Sequence, residues 1–181
     1  MLELVLFSLP VAIYVLVQTG RRDCTAADAL GRVGATTGTG RDHWRGVILF
    51  IPLLIAAIIA AWVIPADVRE APGVSIASVA SVGAVVGVVL RALGEEVFFR
   101  GLLAGVLIRR LGFAWGNLMQ ALAFLVPHAA LLAIDIRLWP ILPVQFAVGW
   151  VLGHLRHVTG SFLPGALVHI VANVVAGILM G

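Results

Sequence analysis

The chain has 181 residues, 61% of them hydrophobic and only 12% charged, with a formal net charge of +3 and a mean hydropathy of +1.10. A soluble domain would be close to half apolar and about a quarter charged, so that class is excluded. The single cysteine, Cys24, rules out an intramolecular disulfide and a thiolate metal cluster.

The first apolar run, Leu4 to Val17, follows Glu3 without a positive charge, precedes Arg21 and Arg22, and lacks a small-residue cleavage pattern. It reads as a retained first span with the N-terminus outside, not as a signal peptide. Thr19 to Arg45 is the one long hydrophilic stretch and reads as a cytoplasmic loop, with a short interfacial helix around Thr25 to Val33. Gly46 to Ala66 is the second span and Asp67 to Gly73 a short turn. Val74 to Ile108 is apolar except for Arg91, Glu95, Glu96 and Arg100, and Arg109-Arg110 ends it. At 1.5 Å per residue it would measure roughly 52 Å against a ~30 Å hydrocarbon core, so it must tilt, bend near Gly94, or begin with an interfacial turn. Trp115 to Ile134, Leu138 to Gly153 and Phe162 to Met180 follow as further spans.

The expected fold is all-α, a multi-pass transmembrane helical bundle of about six spans with one bent or overlong helix. Residues 1–73 form a two-span N-terminal region with a cytoplasmic loop at 19–45, and residues 74–181 a core. All the basic residues are arginine, which points to a GC-rich genome and hence a prokaryote. Eight of them fall in loops that this topology puts inside and two, Arg69 and Arg137, outside. That asymmetry satisfies the positive-inside rule for a cell membrane and makes the basic charge topogenic, with no nucleic-acid partner.

Ionisable groups at membrane depth are functional hypotheses by default. Glu95 and Glu96 point about 100° apart on a helix, while Glu96 and Arg100 share a face and can pair. One carboxylate is thereby neutralised and its neighbour left for a cavity, where desolvation makes a carboxylate a stronger base. His128 follows Pro127, and His169 and Asn173 lie four apart on one face, with donors suited to an oxyanion hole or to an interhelical clamp. Counted from the loops, Glu95, His128 and Asn173 all fall about 18–20 Å from the inner surface. No HExxH occurs, although Glu95, Glu96, His128 and His169 offer a mixed oxygen and nitrogen zinc set. Gly83-x-x-x-Gly87, Gly101-x-x-x-Gly105 and Gly149-x-x-x-Gly153 read as ordinary close helix packing.

Glu95-Glu96-Val97-Phe98-Phe99-Arg100-Gly101, Phe124-x-x-x-His128, Phe146-x-x-Gly149-x-x-x-Gly153 and His169-x-x-x-Asn173 stand in an order that resembles the CPBP family of CAAX-protease and bacteriocin-processing intramembrane endopeptidases. The resemblance covers about Val74 to Met180. It implies a glutamate-dependent peptidase in which Glu95 activates water, His128 helps hold it, and His169 with Asn173 stabilises the oxyanion. Glu96 and Arg100 would be an orienting pair. It implies no cofactor; if zinc takes part, Glu95, His128 and His169 are its ligands. The substrate would be a peptide or protein reached from the cytoplasmic side of the bilayer. The alternatives are a proton-coupled carrier using Glu95 and His128 as a relay, or an immunity or scaffold factor whose polar residues only clamp helices.

Overall fold

The computed structural model describes residues 2–69, 71, 79 and 81–180. Most of these residues are helical, with no strand among them. The helices are α1 (Leu2–Thr19), α2 (Ala26–Arg32), α3 (Gly40–Val63), α4 (Ala66–Arg69), α5 (Val82–Glu95), α6 (Gly105–Ala129), α7 (Ile141–Thr159) and α8 (Leu163–Met180). A π-helical segment, Glu96–Ala104, joins α5 to α6, and two 3-10 turns, Ala130–Ala133 and Ile136–Leu138, lead into α7. By length and composition, Leu2–Thr19, Gly40–Val63 and Ile136–Thr159 can each cross a membrane. Whether an interfacial turn precedes α5 falls largely on residues 72–78 and 80, outside the described residues.

Local chemistry sets the helix starts. Thr25 and Thr39 each accept from the backbone N–H three residues on, while Asp28 and Asp42 reach back to the threonine N–H at 2.9 Å. Both are capping boxes. In the first, the Thr25 hydroxyl and backbone hold the exposed Asp28 carboxyl below the usual range. The interfacial helix expected around Thr25 to Val33 is thus α2, capped at Thr25. Gly112, at φ 75°, takes a backbone conformation that side-chain-bearing residues rarely adopt, and there the long helix from Val82 turns back. The overlong segment is therefore a helix with a wide π stretch after Gly94 and an end at Gly112.

α6 packs on α7, α7 and α8 on α3, and α1 and α8 on α5. Leu53, Leu152, Leu155 and Val168 form the core shared by α3, α7 and α8. A second cluster, Ile64, Val68 and Leu138, joins α4 to the two 3-10 turns at the end of the bundle away from α2. Within the protein, Asn117 donates to the Trp150 carbonyl at 3.1 Å and Gln120 to the Gly149 carbonyl at 2.7 Å. A side chain on Gly153 would collide with both amides, and one on Gly149 would lie 3.1 Å from Ala121 Cα. Gly101 and Gly105 similarly receive the Val33 and Arg32 carbonyls of the loop. Gly87 faces open space, so the first of the three glycine pairs is not a packing contact there. Trp44, Trp62, Trp115 and Trp139 remain exposed near helix ends, where amphipathic rings meet a membrane surface.

Candidate active site

Glu95 ends the regular part of α5 and Glu96 opens the π segment, so the two carboxylates diverge at a change of helix type. Such segments occur often at functional sites. Glu96 and Arg100 are fully buried, with Arg100 Nη1 2.9 Å from Glu96 Oε1. Arg100 Nη2 donates to the Val148 carbonyl on α7 at 3.2 Å, and its guanidinium lies 4.1 Å from the centre of the Phe124 ring on α6. A buried charge is tolerated only when paired and hydrogen-bonded, and this pair has three partners on three helices once His169 is added.

His169, on α8, donates from Nδ1 to Glu96 Oε1 at 2.9 Å. The carboxylate facing Nδ1 fixes the proton there, leaving Nε2 with its lone pair in the neutral ring. Nε2 lies 3.8 Å from Glu95 Oε2, beyond direct hydrogen-bond reach. His128 donates from Nδ1 to the Phe124 carbonyl at 2.8 Å, and because a carbonyl only accepts, its Nε2 is likewise an acceptor. The Phe124 ring packs near both imidazoles, its centroid 4.8 Å from that of His128 and 6.1 Å from that of His169.

A cavity of about 740 Å³ has Glu95, His128, His169 and Asn173 in its wall, together with Glu3, Arg91 and Gln145. Glu96 and Arg100 lie behind that wall. Glu3, Arg91 and Gln145 were not expected at the site. Arg91 Nε is 2.7 Å from Glu3 Oε2. Arg91 had a signal, being an arginine within an apolar run, four residues before Glu95 and on its face. Glu3 had none, because the approach of α1 to α5 at Gly94 is not written in α1.

Both imidazoles present a free Nε2, a form that ligates zinc, and His169 has the carboxylate partner typical of such ligands. Yet among the described residues no three His, Cys, Asp or Glu side chains form a group that could hold a metal ion.

The cavity lies toward one end of the bundle. Lining residues Ala84, Gly87 and Ile141 lie where α5 and α7 begin, and Ala61 and Ile64 where α3 ends, all at the end opposite the Thr19–Arg45 loop. On the loop side of Glu95 the bundle is filled by Arg100, Asn117, Gln120 and Leu152, all buried.

A family description, type II CAAX prenyl endopeptidase Rce1-like, matches residues 77–175, more than half of the chain. The chain belongs to this Rce1-like family. The match spans all three polar motifs, agrees with the CPBP resemblance, and identifies a CAAX-protease-type endopeptidase. None of the curated proteins or solved structures compared with the chain gives a match. Glu3 and Phe7 of α1 lie outside the Rce1-like region although they line the same cavity.

Proposed function

We propose that the protein is a six-pass membrane endopeptidase that hydrolyses a peptide bond of a peptide or protein substrate with water activated by Glu95. The observation that carries this reading is the shared cavity of Glu95, His128, His169 and Asn173, with the Glu96–Arg100 pair buried behind it. A water held there donates one hydrogen to the Glu95 carboxylate and the other to His128 Nε2, which leaves an oxygen lone pair free to attack. Glu95 takes the proton as the tetrahedral intermediate forms and delivers it to the leaving nitrogen. The Asn173 amide N–H donates to the oxyanion. His169 donates from Nε2 only as imidazolium, with the Glu96 carboxylate as its partner on the far side. Glu96 and Arg100 hold this ring and the π segment in register.

The arginine count puts the Thr19–Arg45 loop in the cytoplasm, so the cavity lies in the outer half of the bundle and substrate approaches from there. Replacing Glu95 by Gln preserves shape and removes the base, so turnover should fall about 10²–10⁴-fold with the fold intact. Purified protein should keep its activity in chelators. Near-normal cleavage by Glu95→Gln, or chelator-abolished cleavage restored by zinc, would overturn the mechanism.

A further inference from the structure

At the loop end of the bundle, opposite the active-site cavity, a second hollow of about 660 Å³ opens between α2, the start of α6 and the end of α7. Arg32, Arg109 and Arg156 line it, with Asp23 and Asp28. Arg109 Nη1 and Arg156 Nη2 both donate to one oxygen, the Arg32 carbonyl, at 2.7 and 3.2 Å. The two guanidiniums are thereby held within about 6 Å of each other, where like charges repel. Two glycines permit the convergence. A Cβ on Gly105 would lie 2.8 Å from that carbonyl oxygen, and one on Gly34, at φ 67°, would collide with the Arg156 guanidinium. Arg156 Nε is buried without a hydrogen-bond partner. Topogenic charge needs arginines in the right loops, not two of them on one atom. The carboxylates of the hollow are already committed: Asp28 accepts from the Thr25 N–H and hydroxyl, and Asp23 faces Arg21 at 3.6 Å. The arginines meet only neutral oxygens. Arg32 donates to Gln18 and Arg109 also to the Tyr14 hydroxyl, and among the described residues none of the three forms an ion pair.

We infer that this hollow binds a phosphate group, held by Arg109 and Arg156 with Arg32 at its edge. An anion there offsets the crowded positive charge, and phosphate oxygens suit the planar fork of a guanidinium. Depth favours a phospholipid headgroup as the carrier. Arg109 lies three residues before the Gly112 turn, Arg156 three before the end of α7, and Tyr14 five before the end of α1. The hollow is therefore at the level of the headgroups, and basic hollows between spanning helices take such groups. α1 buries only Val11, so acyl chains can run along it up to Tyr14. Once bound, the phosphate ties α2, and with it the Thr19–Arg45 loop, to α6 and α7. The inference does not depend on the peptidase reading.

The test is thermal unfolding of the full-length protein in a neutral detergent at constant ionic strength. It is titrated in turn with dioleoylphosphatidylglycerol, dioleoylphosphatidylcholine and inorganic phosphate. A ligand of the folded state raises Tm in a saturable way. Phosphatidylglycerol should do so, and phosphatidylcholine, whose own cation covers its phosphate, should do much less. A rise with phosphatidylglycerol alone assigns the site to a lipid; a rise with inorganic phosphate shows that the free anion suffices. Both support the inference. Arg109→Gln and Arg156→Gln should each weaken the titration midpoint about tenfold or more. Arg110 is exposed and outside the hollow, so Arg110→Gln removes the same charge and should leave the midpoint unchanged. If Arg156→Gln does not fold, Arg109→Gln and the exposed Arg32→Gln carry the comparison. No rise with either phosphatidylglycerol or phosphate would overturn the inference. So would an equal rise with phosphatidylcholine, or equal weakening by Arg110→Gln and Arg109→Gln.

Discussion

His128 and His169 are each fixed by one hydrogen bond at Nδ1 and each turn Nε2 elsewhere, so substitution can separate the two nitrogens. Asn at 128 keeps a donor near the Nδ1 position and loses the acceptor at Nε2; Gln does the reverse. His128→Asn should therefore retain stability and lose about 10²-fold in kcat with KM little changed. His128→Gln should retain more activity, and lower turnover by Gln than by Asn would remove His128 from the water site. Much at this scale was legible in the sequence. Ionisable residues in apolar runs are few, and helical spacing told Glu96 and Arg100 apart from Glu95. The tautomers were not legible, because they depend on Phe124 offering a carbonyl and Glu96 a carboxylate. The gain is a narrower role for His169, which is a donor toward the cavity only when charged.

Between elements, α7 lays Gly149 and Gly153 closely against Ala121, Asn117 and Gln120 of α6. Interhelical amide bonds of this kind contribute on the order of 0.6–2 kcal/mol in membranes, and here they also require a bare backbone opposite. Gly153→Ala should lower stability by about 1–3 kcal/mol, read as a drop in Tm in detergent. Gly87→Ala should leave Tm unchanged or slightly raised, since nothing lies within 4 Å of its added carbon. Three glycine pairs with the same spacing thus behave differently. Spacing reports that a helix can be approached closely, while the partner's side chains decide whether it is. The π segment was equally hidden, because no residue type encodes it. What holds it is the Glu96–Arg100 pair tied to Val148 and His169, a set of contacts that exists only after α7 and α8 have packed.

For the molecule as a whole, the helical class and membrane setting followed from composition alone, whereas the end of the bundle that holds the cavity did not. Loop charge orients the bundle but says nothing of which half is hollow; that depends on where large buried side chains gather. A protein with Cys24→Ala and Gln145→Cys carries one thiol in the cavity wall. In right-side-out vesicles a membrane-impermeant maleimide should label it, and labelling confined to inverted vesicles would establish the cytoplasmic approach instead. Trp44 and Trp62, 63% and 82% exposed, bracket α3 at both ends. Eighteen steps of helix put the two indoles about 27 Å apart, a little less than a typical hydrocarbon core of roughly 30 Å. Short acyl chains match that spacing. Longer ones would have to thin around the protein, and lipid composition would then adjust how the enzyme tilts and where in a cell's membranes it settles.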